Sequence, residues 1–297
     1  MNRDIQKILK EYEKHLQYQE RSQKTIEKYI RDLRAFFIFL NGKKIEKEAV
    51  LKWKETLRKT HAPASINSML AAVNGYLEFT GVPQMKVKPL KMQREIFSKP
   101  EKELTREEYV RLVKTAEQKG NRRLSLLLQS ICATGIRVSE LQYITKEALC
   151  TGQVAVTCKG KNRVVFLHRD LCRALRNYCR ETGIESGPVF RTKSGRPLDR
   201  NNIWRDMKSL CGSAGVEPKK VFPHNLRHLF AKAYYMLEKD LVKLADLLGH
   251  ANISTTRIYT MESGKEHLRQ LERMELVITT RNDCIMVIMP SCIWNPQ

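Results

Sequence analysis

The sequence contains no apolar run that approaches the roughly 20 residues a membrane-spanning helix needs. Its eight cysteines include no Cys-x-x-Cys pair and have no histidines at zinc-site spacing, which argues against a structural zinc site. The chain also lacks internal repeats, and its first residues are charged from Arg3 onward, unlike a secretory signal. We therefore expect a reduced, cytoplasmic protein.

The sequence has few acidic residues: it contains 32 Asp and Glu and 54 Lys and Arg, which gives a formal net charge of +22. Residues 1–100 carry 21 of the basic and 11 of the acidic residues, so the excess is not confined to one tail. Such a surface attracts polyanions, and nucleic acid is the most common partner of this kind. Charge alone leaves open a basic protein that is merely soluble.

The first part of the chain carries apolar residues at helical spacing. Asn41 and Gly42 stop the most regular of these stretches, and Pro63 suits the first turn of another helix. The pattern predicts a small N-terminal domain over residues 1–82, built from helices at 2–20, 22–40, 46–59 and 63–81.

Helical periodicity stops between residues 83 and 102, where Pro83, Pro89 and Pro100 interrupt the chain. We interpret this segment as an extended basic linker that follows a DNA backbone, with a solvated charge run as the alternative. Its candidate DNA-binding residues are Lys86, Lys88, Lys91 and Arg94.

Residues 103–275 read as a second, mostly helical domain that begins with a capping box at Thr105 and Glu108. Alternating residues at 154–158 and 163–167 predict a β-hairpin, and 188–190 could add a short third strand. The fold class is therefore mainly α, of the α+β type, with a small antiparallel sheet. Predicted helices cover 106–119, 121–133, a segment from 138, 169–182, 199–214, 224–237, 240–248 and 264–276.

Four short stretches of this domain carry chemically versatile side chains. His224 and Arg227 lie three residues apart near a helix start, so both can face one phosphate. His250 follows a glycine at a helix end, and Tyr259 comes nine residues later. Arg137 follows Thr-Gly at a predicted helix start. Taken singly, each is more often a surface pair or a core residue than a catalytic group.

Together these stretches resemble the tyrosine recombinase family, also called phage integrases, and in particular its Xer-like and transposon-encoded branch. The matching blocks are Ala-Thr-Gly-Ile-Arg-Val-Ser-Glu-Leu at 133–141, His-Asn-Leu-Arg-His at 224–228, Leu-Leu-Gly-His at 247–250, and Tyr259. Residues 25–40 are similar to the family's N-terminal, SAM-like core-binding domain. The likeness covers about residues 4–275.

The resemblance implies that Tyr259 attacks the scissile phosphate and forms a 3′-phosphotyrosyl bond, which frees a 5′-hydroxyl. Arg137 and Arg227 would bind the non-bridging oxygens and His250 would donate to them. His224 would accept the tyrosine proton or hold it in a hydrogen-bond network. Glu140 would have a supporting role and orient the groups around it.

The family's catalytic lysine lies in a β-hairpin and protonates the leaving oxygen. Lys159 matches it best here, but Cys158 replaces a usual glycine and the turn is shorter, so Lys161 is a rival. No metal and no cofactor is implied, because guanidinium groups can stabilise the charge on phosphorus and the covalent bond conserves the phosphodiester's energy.

The same resemblance implies a homo-tetramer that acts on two sites in double-stranded DNA. Residues 276–297 match no part of the family pattern. The apolar run 285–289 could bind a neighbouring protomer as an added strand, with a poorly ordered tail as the alternative. The alternatives are a monomeric enzyme similar to type IB topoisomerases, and a DNA-binding regulator whose catalytic site has decayed.

Overall fold

The computed structural model describes residues 3–92, 100–158, 161–250, 252–261, 264–274 and 276. The chain divides into two compact units, Met1–Glu95 and Ile96–Gln297. Within the described residues the protein is mostly helical with one small antiparallel sheet, as the sequence predicts. The described residues include no helix that is both long and apolar enough to cross a membrane.

The first unit is the predicted helical bundle. Ser22 accepts a hydrogen bond from the amide of Thr25 and so caps the second helix, which ends at Asn41 in the left-handed conformation. Its core is mainly aliphatic and also holds aromatic side chains, among them Tyr12, Phe36 and Trp53, buried between the helices. The helices are α1 (Arg3–Tyr18), α2 (Gln23–Leu40), α3 (Lys47–Arg58) and α4 (Pro63–Phe79).

Part of the predicted linker is bound to this bundle. The side chain of Asn74 donates to the carbonyl of Val87 at 2.9 Å and accepts from its amide at 3.1 Å. Asn67 makes the same pair of bonds with Leu90, at 2.9 and 2.7 Å. Each asparagine side chain thus bonds both the amide and the carbonyl of one residue, as a paired β-strand would. Residues 83–90 therefore belong to the first unit instead of bridging freely from it.

The second unit contains the remaining elements. Its helices are α5 (Arg106–Gln118), α6 (Arg122–Thr134), α7 (Ala148–Thr151), α8 (Arg169–Glu181), α9 (Arg200–Lys208), α10 (Cys211–Ala214), α11 (Pro223–Glu238), α12 (Leu241–Leu248), α13 (Ile253–Arg257) and α14 (Gly264–Arg273). Its strands, β1 (Gln153–Cys158) and β2 (Lys161–Phe166), pair in antiparallel register from Gln153 opposite Phe166 to Cys158 opposite Lys161.

Three local predictions differ from the structure. The helix predicted from residue 138 is a 3₁₀ helix over Val138–Tyr143, and the helix predicted over 199–214 is interrupted between α9 and α10. Residues 188–190 contribute only an isolated bridge between Thr145 and Pro188, so among the described residues the sheet has two strands. Proline at 188 cannot donate to a ladder, which explains why no third strand forms there.

Helix α6 forms the centre of the second unit. Leu126, Leu127 and Leu128 are consecutive and all buried, so the helix is enclosed on every side. It ends at Gly135, whose φ of +63° suits glycine, and a Cβ there would lie 2.5 Å from Cδ1 of Phe230 on α11. This close approach brings the end of α6 next to the first turns of α11.

Candidate active site

Three arginines converge on the C-terminal end of α12. A helix leaves its last carbonyls without partners and carries partial negative charge at that end, so it attracts cations. Here three successive carbonyls each accept a hydrogen bond from a different guanidinium group. The pairs are Arg163 Nη1 with Leu247 at 2.7 Å, Arg227 Nη2 with Leu248 at 2.7 Å and Arg137 Nη2 with Gly249 at 3.1 Å.

Arg227 is the most enclosed of the three, with 3% of its surface exposed. It also donates from Nη1 to the carbonyl of Gly135, at the end of α6. Burial, followed by the charge of Arg137, lowers the pKa of Arg227 to about 10, while the charge and hydrogen bonding of Tyr259 act in the opposite direction. A buried cation in this state gains from any anion that enters the site.

Glu140 is the carboxylate that balances part of this charge, and 1% of its surface is exposed. It accepts from the Arg137 guanidinium at 2.9 Å, from the Arg137 amide at 2.9 Å, and from Nη2 of Arg163 at 2.5 Å. Burial alone would raise the pKa of Glu140, but the hydrogen bonds from Arg137 and the charges of both arginines outweigh it and lower that pKa. The carboxylate is therefore ionised and shared by two guanidinium groups.

His250 lies between Arg227 and Thr256. Its Nε2 is 3.0 Å from Nη2 of Arg227, and its Nδ1 is 2.9 Å from the hydroxyl of Thr256. A guanidinium group can only donate, so Nε2 accepts and the imidazole proton resides on Nδ1. Burial and then the charges of the three arginines lower the pKa of His250 to about 4. The ring is therefore neutral at neutral pH.

Tyr259 lies among three histidines of the same chain. Its ring centroid is 6.0 Å from that of His224, 5.1 Å from that of His228 and 5.8 Å from that of His250. Its ring fills a small apolar cluster with buried residues of α11 and α12, and 5% of its surface is exposed. Burial and then the charge of Arg227 lower the pKa of His224, which leaves its imidazole neutral and able to accept a proton.

The structure thus brings Arg137, His224, Arg227, His250 and Tyr259 into one cluster, in which Glu140 binds Arg137. Residues separated by more than 100 positions meet because α6 and α11 approach at Gly135 and because α12 turns its end toward both.

Sequence reasoning missed Arg163, His228 and Thr256. A signal for Arg163 was available, because strand alternation puts it on the same face of β2 as the buried Val165. A cation on the buried face of a strand needs a partner. His228 ends the matched block at 224–228, but no role was assigned to it. For Thr256 no comparable signal exists, since its contact depends on where α13 lies.

Other predicted residues lie elsewhere. Lys159 and Arg94 are outside the described residues, and of Lys161 only the backbone, in β2, is described. Lys86, which pairs with Glu78 at 2.7 Å, and the exposed Lys88 and Lys91 belong to the first unit. No cluster of His, Cys, Asp and Glu side chains suited to a metal ion occurs in the part of the chain that the structure describes.

Comparison with known proteins identifies the molecule. The phage integrase family profile matches residues 102–266, and that of the phage integrase N-terminal SAM-like domain matches residues 9–80. The chain belongs to the phage integrase family. It is therefore a site-specific DNA recombinase of the tyrosine type, which cleaves and rejoins duplex DNA.

Individual relatives agree along most of the chain. Tyrosine recombinase XerA of Thermococcus kodakarensis is 31% identical over 285 residues, which cover 91% of this chain and 96% of that protein. A lambda integrase dimer bound to a COC′ core site has a TM-score of 0.70 at 20% identity, covering 88% of this recombinase and 96% of that chain. A lambda integrase tetramer bound to a Holliday junction has a TM-score of 0.67 at 19% identity, covering 87% and 79%. The two structures share the fold of this recombinase.

Proposed function

We propose that Tyr259 is the nucleophile of this recombinase. Its oxygen attacks the scissile phosphorus, the bond from phosphorus to the 5′-oxygen breaks, and a 3′-phosphotyrosyl bond forms. The reverse reaction, with a 5′-hydroxyl from another strand, reseals the DNA without ATP. The observation that supports this assignment is the placement of Tyr259 beside His224, His250 and Arg227 within a single chain.

In this proposal Arg137 and Arg227 bind the two non-bridging oxygens of the phosphate. Both groups are already held by backbone carbonyls, so little reorganisation is needed as charge develops on phosphorus. Planar forks suit this task, because each guanidinium group can keep a carbonyl and still offer a donor to the phosphate. Glu140 keeps Arg137 in position.

Protons move at both ends of the reacting bond. Neutral His224 accepts the phenolic proton of Tyr259, and His250 donates to a non-bridging oxygen once the anion is bound, because a nearby negative charge favours the protonated ring. The proton for the 5′-oxygen comes from Lys159, with Lys161 as the alternative, an assignment that depends on sequence alone. To identify the acid, each lysine is replaced with alanine and the variants are tested on DNA with a 5′-thiol leaving group. A thiolate leaves without a proton, so this substrate restores the activity only of the variant that has lost the acid.

The recombinase would act as a homo-tetramer on two DNA sites in the cytoplasm. Support comes from the net charge of +22 and from the fold it shares with the lambda integrase tetramer. In the first unit, basic side chains form part of the lining of an open groove of about 650 Å³, which offers a path for a phosphate backbone. The basic residues of this groove are Lys54, Arg58, His61 and Lys91. Lys86, Lys88 and Arg94 would add contacts, and residues 276–297 would bind a neighbouring protomer.

The decisive experiment compares the wild type with Tyr259→Phe on fragmented genomic DNA. We expect the wild type to form a detergent-stable protein–DNA adduct, and the variant to bind DNA equally well but to form none. Tyr235→Phe is the matched control, because Tyr235 packs near the same apolar cluster without being assigned to the reaction. The end sequences of the trapped DNA reveal the target site. An adduct on the Tyr259 variant would disprove the assignment.

Assays with the same protein and DNA distinguish a recombinase from the two alternative functions. A decayed regulator would bind DNA without any adduct in the wild type. A topoisomerase-like enzyme would relax supercoiled DNA as a monomer and would not exchange strands between two marked duplexes, whereas the recombinase exchanges them as a tetramer.

A further inference from the structure

Arg163 belongs to the charge cluster of the site, although it is absent from the matched sequence blocks. Its two terminal nitrogens bind different elements, since Nη1 donates to the Leu247 carbonyl at 2.7 Å and Nη2 to Glu140 at 2.5 Å. Its side chain is 13% exposed. Arg163 therefore bridges β2, the 3₁₀ helix that contains Glu140, and the end of α12.

The backbone leaves a specific space for this side chain. Gly249 has a φ of +62°, and a Cβ at that position would overlap Cδ of Arg163. The glycine thus serves the left-handed end of α12 and also admits the arginine. The Arg163 side chain is therefore held in one position by its two hydrogen-bond partners and by the space that Gly249 leaves for it.

Charge balance indicates what the residue does. Arg137, Arg163 and Arg227 with one carboxylate, Glu140, leave two net positive charges when the histidines are neutral. Without Arg163 only one would remain, and Glu140 would be balanced by Arg137 alone. A phosphodiester carries one negative charge, but the pentacoordinate transition state carries two on its non-bridging oxygens. The excess charge therefore favours the transition state over the bound substrate.

We propose that Arg163 is a positioning residue that shares Glu140 with Arg137 and thereby keeps the charge of Arg137 available to the scissile phosphate. This inference rests on the proposed function, since it assumes that Arg137 binds that phosphate. In this proposal Arg163 does not contact the phosphate itself; its side chain is 13% exposed, against 34% for that of Arg137. It acts on the reaction through the net charge and through the orientation of the Glu140 carboxylate.

The test measures single-turnover adduct formation at saturating DNA, on a nicked duplex that carries the site recovered from the trapped adduct. Arg163→Lys keeps the charge, whereas Arg163→Gln keeps hydrogen-bonding capacity without it. We expect the glutamine variant to be about 100-fold slower than wild type and the lysine variant about 10-fold slower. Arg122→Gln removes the arginine of an exposed pair with Glu181 in the same unit and is the matched control, with a rate close to wild type.

A double variant distinguishes charge from simple support of the fold. Adding Glu140→Gln to Arg163→Gln should recover about 10-fold in rate, because the unshared carboxylate is gone. Thermal unfolding of each variant reports the structural contribution separately.

Equal rates for the lysine and glutamine variants, or no recovery of the rate in the double variant, would overturn the inference and assign Arg163 to packing alone. Absence of any adduct with the wild-type protein would instead refute the proposed function, so the two failures are distinguishable. If Arg163→Gln does not fold, Arg163→Met, which also removes the charge, takes its place in the comparison with Arg163→Lys.

Discussion

Arg227 donates from Nη2 to Nε2 of His250 across 3.0 Å, and this bond places the imidazole proton on Nδ1, where Thr256 accepts it. The free site therefore holds His250 in the tautomer that cannot donate toward the arginines. Binding of an anion has to change either the partner of Nε2 or its protonation before His250 can act as a donor. Arg227 thus sets the state of the neighbouring histidine as well as belonging to the proposed phosphate site.

Arg227→Lys tests this dual role. A lysine ammonium cannot serve Gly135, Leu248 and His250 together as the planar fork does, so buried carbonyls lose their partners. We expect unfolding to become easier by about 1–3 kcal/mol and adduct formation to fall by about 100-fold or more. Denaturant unfolding and single-turnover cleavage measure the two effects. Arg122→Lys, in the exposed pair with Glu181, should change neither appreciably, and an active Arg227→Lys enzyme would contradict the assigned contacts.

His250 predicts a dependence of stability on pH. Its folded-state pKa, about 4, lies below that of an ordinary histidine, and that of His224 is also lowered, so the unfolded chain binds protons more readily. Stability is therefore present above pH of about 6.5 and is lost as the pH falls toward about 4. We expect the unfolding midpoint to drop by about 3 °C or more between pH 7 and pH 5.

The contribution of His250 is isolated by substitution, because Glu140 also has a lowered pKa and adds a loss of the same sign at lower pH. His250→Gln should flatten the midpoint-against-pH curve in this range. His168→Gln, at a histidine whose side chain is 70% exposed, should shift the curve without changing its slope. Parallel curves for the wild type and His250→Gln would contradict the prediction.

Gly249→Ala probes the passage that admits Arg163. Gly215 is a matched control, since it also ends a helix with positive φ, at +60° against +62°, but a Cβ there would meet nothing within 4 Å. Gly215→Ala should destabilise the fold by about 1 kcal/mol through backbone strain alone. Gly249→Ala should cost about 2–4 kcal/mol and slow adduct formation, because it also displaces Arg163 from Glu140. Equal effects in denaturant unfolding would show that Arg163 tolerates the methyl group.

Asn74→Ala tests the attachment of residues 83–90 to the first unit. Losing both bonds to Val87 should reduce the stability of this unit by about 1–2 kcal/mol and make the peptide bond after Lys86 easier for trypsin to cleave. Asn74→Asp keeps the acceptor for the Val87 amide but loses the donor, so it should fall between the wild type and the alanine variant. Cleavage at an unchanged rate in Asn74→Ala would mean that the segment is held by its apolar contacts instead.

Much of the fold follows from local sequence. Helices α2 and α5 have capping side chains and one apolar stripe, and both lie within one or two residues of their predicted limits. The binding of residues 83–90 was not predictable in this way. Asn67 and Asn74 lie on α4, and their bonds to Val87 and Leu90 join positions 13 and 23 residues apart, which no local pattern records.

The site shows the same division. Sequence alone determined which functional groups are present, in which order, and that Arg137, His224, Arg227, His250 and Tyr259 match one family. Only the tertiary structure decided that Arg163 joins them, that Thr256 sets the tautomer of His250, and that three guanidinium groups bind the end of α12. The reason is physical: hydrogen bonds to backbone carbonyls depend on where those carbonyls lie, and any residue type offers the same carbonyl.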